Sequence, residues 1–113
     1  MLSNFNVITL FPEIFQKWIN VGVLSHGIEE KLFEFSSTNL RDYGIGSYKQ
    51  VDDAPYGGGP GMVLMVEPLD NAIKESKKDI NIFLTPSGQQ LNEDLIQDLH
   101  GYESANIICG RYE

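Results

Sequence analysis

A chain of 113 residues, 42% hydrophobic and 21% charged, has the make-up of one globular domain with a single core. Its net charge of −8 argues against a free-standing nucleic-acid binder: neutralising phosphates takes clustered Lys and Arg, and the densest basic stretch is Lys74, Lys77 and Lys78. No apolar run is long enough to cross a bilayer, no signal-peptide pattern opens the chain, and the single Cys109 has no thiol partner for a disulfide or a metal site, so a cytoplasmic location is the simplest reading.

In chain order, the β-branched run Asn6 to Phe11 suits a buried strand. Phe11, Ile14, Phe15, Trp18 and Ile19 then recur at helical spacing, and Pro12 can open that helix because its missing N–H would have no intrahelical partner. Gly22 and Gly27 are expected to break the stretch after this helix, and Leu32 to Leu40 supplies a second strand with Phe33 and Phe35 on one face. From Arg41 to Gly61 the pattern vanishes into glycines and prolines. A segment of that length is functional or disordered in most compact domains, and poor order is expected for it without a bound substrate.

Periodicity returns with Val66, Leu69, Ala72 and Ile73, a helix with Pro68 in its first turn. Ile80 to Leu84 is the next strand, stopped by Thr85-Pro86-Ser87-Gly88. Asn92 offers a cap to a helix whose buried stripe is Leu95, Ile96 and Leu99, with Gly101 as its stop. Asn106 to Cys109 begins a last strand. Strands alternating with helices imply an α/β domain with a mainly parallel sheet. In such sheets ligands bind at the carboxyl ends of strands, which draws attention to Gly110 and the residues after it.

The residues alone leave several chemistries open. Gly57-Gly-Gly-Pro-Gly61 could cradle a ligand or be a plain mobile loop. It is neither a P-loop, since no Lys-Ser or Lys-Thr comes after it, nor a dinucleotide fingerprint, since no strand leads into it. Asp52 and Asp53 could serve a substrate base, a proton transfer or a metal, or simply be solvated. Arg41 and Asp42 are expected to pair at the surface. His26 and His100 have no ligand pattern around them, and Cys109 reads as a small core residue.

At Val51-Asp-Asp-Ala-Pro-Tyr-Gly-Gly-Gly-Pro-Gly-Met62 the chain resembles the signature loop of the bacterial tRNA (guanine-37-N1)-methyltransferases of the SPOUT superfamily. Ile8-Thr-Leu-Phe-Pro-Glu13, Arg41-Asp42, Leu84-Thr-Pro-Ser-Gly88 and Ile107-Ile-Cys-Gly-Arg-Tyr-Glu113 match in the same order, so the resemblance covers essentially the whole chain.

The resemblance implies methyl transfer from S-adenosylmethionine to N1 of guanosine 37 in tRNA, with Mg²⁺ as an optional participant. It also implies a homodimer and an α/β sheet ending in a trefoil knot. Carried over by position, Leu84, Thr85, Pro86, Gly110, Tyr112 and Glu113 would line the cofactor pocket. Asp52, Gly59, Pro60 and Gly61 would receive the target guanine, and Arg111 would position RNA. Tyr48 stands where the family commonly has a His.

In the family a general-base Asp and a catalytic Arg lie beyond the position of Glu113. They would remove the N1 proton and steady charge on the base. The expectation is therefore an incomplete SPOUT domain over residues 1–113, with no catalytic residue of its own and no activity alone. The alternatives are a non-catalytic truncated α/β binding module and an unrelated nucleotide-binding domain.

Overall fold

The computed structural model describes residues 1–55, 57, 58 and 61–110. Its elements keep the alternation expected: β1 (Asn4–Thr9), α1 (Pro12–Trp18), α2 (Gly22–Glu29), β2 (Glu34–Asn39), a 3-10 turn (Leu40–Tyr43), β3 (Asp52–Asp53), β4 (Val63–Leu64), α3 (Val66–Glu75), β5 (Ile80–Phe83), α4 (Glu93–Leu99) and β6 (Ser104–Cys109). Four strands form one parallel sheet in the order β2-β1-β6-β5, and β3 and β4 pair antiparallel as a separate ribbon.

Local chemistry sets the ends of these elements. Thr9 closes β1 by accepting the Phe11 N–H on its hydroxyl at 3.1 Å, and Pro12 then starts α1. The Asn39 side chain caps the 3-10 turn through the Arg41 N–H at 3.0 Å. Asn92 caps α4 through the Leu95 N–H at 2.9 Å, as its position in the sequence suggested.

Two expectations are corrected. Gly22 and Gly27 do not break the chain; both lie inside α2, the first starting it with φ of +62°. A Cβ on Gly27 would stand 2.6 Å from the Phe33 ring, so this glycine lets the helix press onto an aromatic. The segment 41–61 also has more order than its composition suggests. Ile45 and Gln50 exchange backbone hydrogen bonds at 2.8 and 2.9 Å, and Asp52 and Asp53 pair with Leu64 and Val63. Tyr56, Gly59 and Pro60 lie outside the described residues.

Side chains alternate across a strand, so the sheet has two faces. On one, Ile8, Leu10, Leu40, Val51, Ala72 and Ile108 form the buried core beneath α3, with Leu64, Leu69 and Ile73 packed against it. On the other, α1 and α2 leave an apolar groove of about 440 Å³, lined by Phe5, Val7, Phe15, Trp18, Leu84 and Cys109 among others. Cys109 is therefore half-buried on a groove wall rather than deep in the core. The stripe expected of α4 is not buried either: no residue of that helix is, and Ile96 is exposed.

Candidate functional site

Two loops leave the sheet together at its carboxyl edge. Phe83 is level with Ile108 in the β5–β6 ladder, and the Leu84 N–H donates to the Ile108 carbonyl at 3.2 Å. Leu84-Thr85-Pro86 and Cys109-Gly110 thus emerge side by side from adjacent parallel strands, the place where open α/β sheets bind ligands. The first loop is held as a compact turn. The Gly88 N–H donates to the Thr85 carbonyl at 3.1 Å, and the Thr85 and Ser87 hydroxyls lie 3.2 Å apart. Leu84, Thr85 and Pro86 are exposed, and Gly110 is half-buried. Arg111, Tyr112 and Glu113 lie outside the described residues.

The glycine-rich loop rises from the same edge. Its base is fixed by Val51, which is buried against Leu10, Leu40 and Ile108, residues near the carboxyl ends of β1, β2 and β6. The Met65 N–H donates to the Val51 carbonyl at 2.8 Å, so the entry to α3 is stitched to the same point. Above that base the Pro55 carbonyl accepts the Gly58 N–H at 3.0 Å. Gly57, Gly58 and Gly61 have φ of +83°, +87° and +87°, values that side-chain-bearing residues rarely adopt. Glycine is needed here for backbone shape, which the sequence alone left open.

The carboxylates do not gather. Asp52 is half-buried and accepts the Gln50 side-chain amide on its backbone carbonyl at 2.8 Å, while the exposed Asp53 caps the Ala54 N–H at 2.7 Å. Among the described residues no group of three His, Cys, Asp or Glu is placed to hold a metal ion. Burial pushes the Cys109 thiol above its ordinary pKa. Burial, and secondarily the Glu75 and Asp42 carboxylates, do the same to the Tyr43 phenol.

Arg41 does not make the ion pair with Asp42 that the sequence suggested. Its guanidinium lies over the Phe11 ring, 5.8 Å from the centroid, bridging the loops after β1 and β2. Sequence reasoning also passed over Asn6, Asn81 and Asn106, three polar residues inside otherwise apolar strands. Their position in runs such as Ile80-Asn-Ile-Phe83 was the available signal.

Comparison with known proteins gives the chain's family. The family described as tRNA (Guanine-1)-methyltransferase TrmD matches residues 3–113. The chain belongs to the tRNA (guanine-1)-methyltransferase family. Family members resembling it include the tRNA (guanine-N(1)-)-methyltransferase of Spiroplasma kunkelii, 42% identical over 99% of this chain and 43% of the relative. That of Photobacterium profundum is 42% identical over 95% of this chain and 45% of the relative. The chain thus spans about half the length of the relatives it matches. The crystal structure of the tRNA (m1G37) methyltransferase from Aquifex aeolicus superposes with a TM-score of 0.80 at 36% identity, covering all of this chain and 53% of that one. This methyltransferase family therefore accounts for the parallel sheet and its flanking helices, and for the order of the motifs along it. Among the described residues no helix is long and apolar enough to cross a membrane.

Proposed function

We propose that residues 1–113 form the cofactor-side part of an enzyme that methylates N1 of guanosine 37 in tRNA, working as a cytoplasmic homodimer. In this reading the described elements belong to a single α/β domain that is part of a knotted SPOUT fold. The observation that carries it is the pairing of Leu84-Thr85-Pro86 with Gly110 at the carboxyl edge, beside a glycine-rich loop with its base on the same edge.

The exposed residues Leu84, Thr85 and Pro86, with a glycine opposite, fit a flat, polar-edged ligand such as the adenosyl part of S-adenosylmethionine. When bound, that molecule supplies an electrophilic methyl group on a sulfonium. Leu84, Thr85, Pro86, Gly110, Tyr112 and Glu113 bind and orient it. Asp52, Gly59, Pro60 and Gly61 receive the guanine, whose edge offers both donors and acceptors for a carboxylate and for backbone amides. Arg111 steadies the RNA. The remaining cations needed to neutralise tRNA phosphates come from elsewhere in the assembled enzyme, since this chain carries −8.

The test is Gly110→Val in the full-length protein. A branched side chain there either enters the cofactor's space or displaces the backbone. Each 1.4 kcal/mol or so of lost binding is tenfold in affinity, so methyl incorporation into a transcript with guanosine 37 should fall by about 100-fold or more. Circular dichroism should show an intact fold. Normal methylation by the folded variant would remove Gly110 from the cofactor site.

A further inference from the structure

A row of polar side chains crosses the core face of the sheet at a single level. Ser36 on β2, Asn6 on β1, Asn106 on β6 and Asn81 on β5 are ladder partners in turn. The Ser36 hydroxyl donates to Asn6 Oδ1 at 2.9 Å, Asn6 Nδ2 donates to Asn106 Oδ1 at 3.0 Å, and Asn106 Nδ2 donates to Asn81 Oδ1 at 3.0 Å. Asn106 Nδ2 also donates to the Ser76 carbonyl at the end of α3, at 2.7 Å. Asn106 is fully buried and Asn6 nearly so, and no buried side-chain nitrogen or oxygen among the described residues lacks a partner.

Apolar patterning cannot fix this sheet's register by itself. A slip of one residue turns every side chain to the wrong face, but a slip of two restores the face. The row makes the two-residue slip costly, because it would leave the buried Asn6 amide opposite Ile108 or a shorter Ser104 with its Asn106 partner lost. Such a slip would carry the end of β6 about 6.6 Å along β5, at about 3.3 Å per residue of parallel strand.

We propose that Asn106 is a positioning residue. It sets the height at which Gly110 leaves the sheet relative to Leu84-Thr85-Pro86, and through Ser76 it ties that height to α3, whose entry is stitched to the base of the glycine-rich loop. The cofactor consequence rests on the function proposed above; the register consequence does not.

The experiment compares the full-length protein with Asn106→Leu, which keeps the branched shape and removes the hydrogen bonds, and with Ile8→Val, a core change outside the row. Amide exchange at Leu84, whose N–H spans to the Ile108 carbonyl, reads the register directly. Asn106→Leu should raise that exchange about tenfold and weaken S-adenosylmethionine binding by a similar factor, as loss of a buried hydrogen-bond set implies. Ile8→Val should leave affinity within about twofold. If Asn106→Leu does not fold, Asn81→Ala at the end of the row should raise Leu84 exchange about fivefold, the effect of one lost hydrogen bond. Wild-type exchange at Leu84 in a folded row variant overturns the proposal, as does an affinity loss no larger than the control's. If the wild-type protein itself bound no S-adenosylmethionine, the cofactor reading would fall, and Leu84 exchange would still decide the register.

Discussion

Cys109 shows how a single residue's chemistry depends on its wall. It comes after the β-branched pair Ile107-Ile108 and borders an apolar groove, so its thiolate is poorly solvated and its pKa is raised. A thiol with a higher pKa folded than unfolded holds its proton more tightly in the native state. Its contribution to stability is complete below the unfolded value and is lost as pH rises through the folded one. Reaction with a disulfide reagent at neutral pH should therefore be slower than for a free cysteine peptide, with the half-maximal rate displaced to higher pH. A rate profile matching the free peptide would place the thiol in water. The same groove explains why composition misjudged this residue: a short apolar strand does not reveal whether its outer face will be covered.

Among the elements, those with strong local signals were legible and those built from turns were not. Pro12 at the start of α1 and Asn92 before α4 act where helix chemistry puts them, and β1, β5 and β6 overlap their β-branched runs, with β1 and β6 each beginning two residues earlier. The α2 helix was hidden because Gly22 and Gly27 have low helix propensity, and the contact with Phe33 that requires Gly27 is tertiary. The ribbon β3–β4 was hidden for a related reason. It consists of two-residue strands anchored by Val51, too short for any periodicity. Of the candidate site, the carboxyl-edge loops could be anticipated from topology. The left-handed glycines and the asparagine row needed the structure.

Gly44 tests the turn that leads into the ribbon. A Cβ there would collide with the main chain of Lys49, across the turn closed by Ile45 and Gln50. Gly44→Ala should cost about 1–3 kcal/mol in denaturant unfolding, whereas Gly101→Ala, whose nearest neighbour would be 3.9 Å away, should stay within about 0.5 kcal/mol. Equal effects would mean that the turn yields freely.

For the whole molecule, the function proposed above gives the described residues one edge of a cofactor pocket, and the relatives are about twice as long. Titration calorimetry of the 113-residue chain with S-adenosylmethionine is expected to give weak or undetectable heat, because the carboxyl-edge loops lie open and drug-sized ligands are held by sites that enclose most of their surface. Tight stoichiometric binding would show that residues 1–113 enclose the ligand unaided.

The order of strands also has a consequence in time. The centre of the sheet is the β1–β6 pair, and Asn6 bonds to a residue 100 positions later. While the chain emerges from a ribosome, β1 can pair with β2, but β5 has no strand beside it until β6 arrives to fill the gap between them. Closing so long a loop is slow, and nothing central is secured before it closes. Until then the two edges that β6 will cover, one on β1 and one on β5, stand unpaired, which makes that interval the period of greatest vulnerability to misassembly and to chaperone capture.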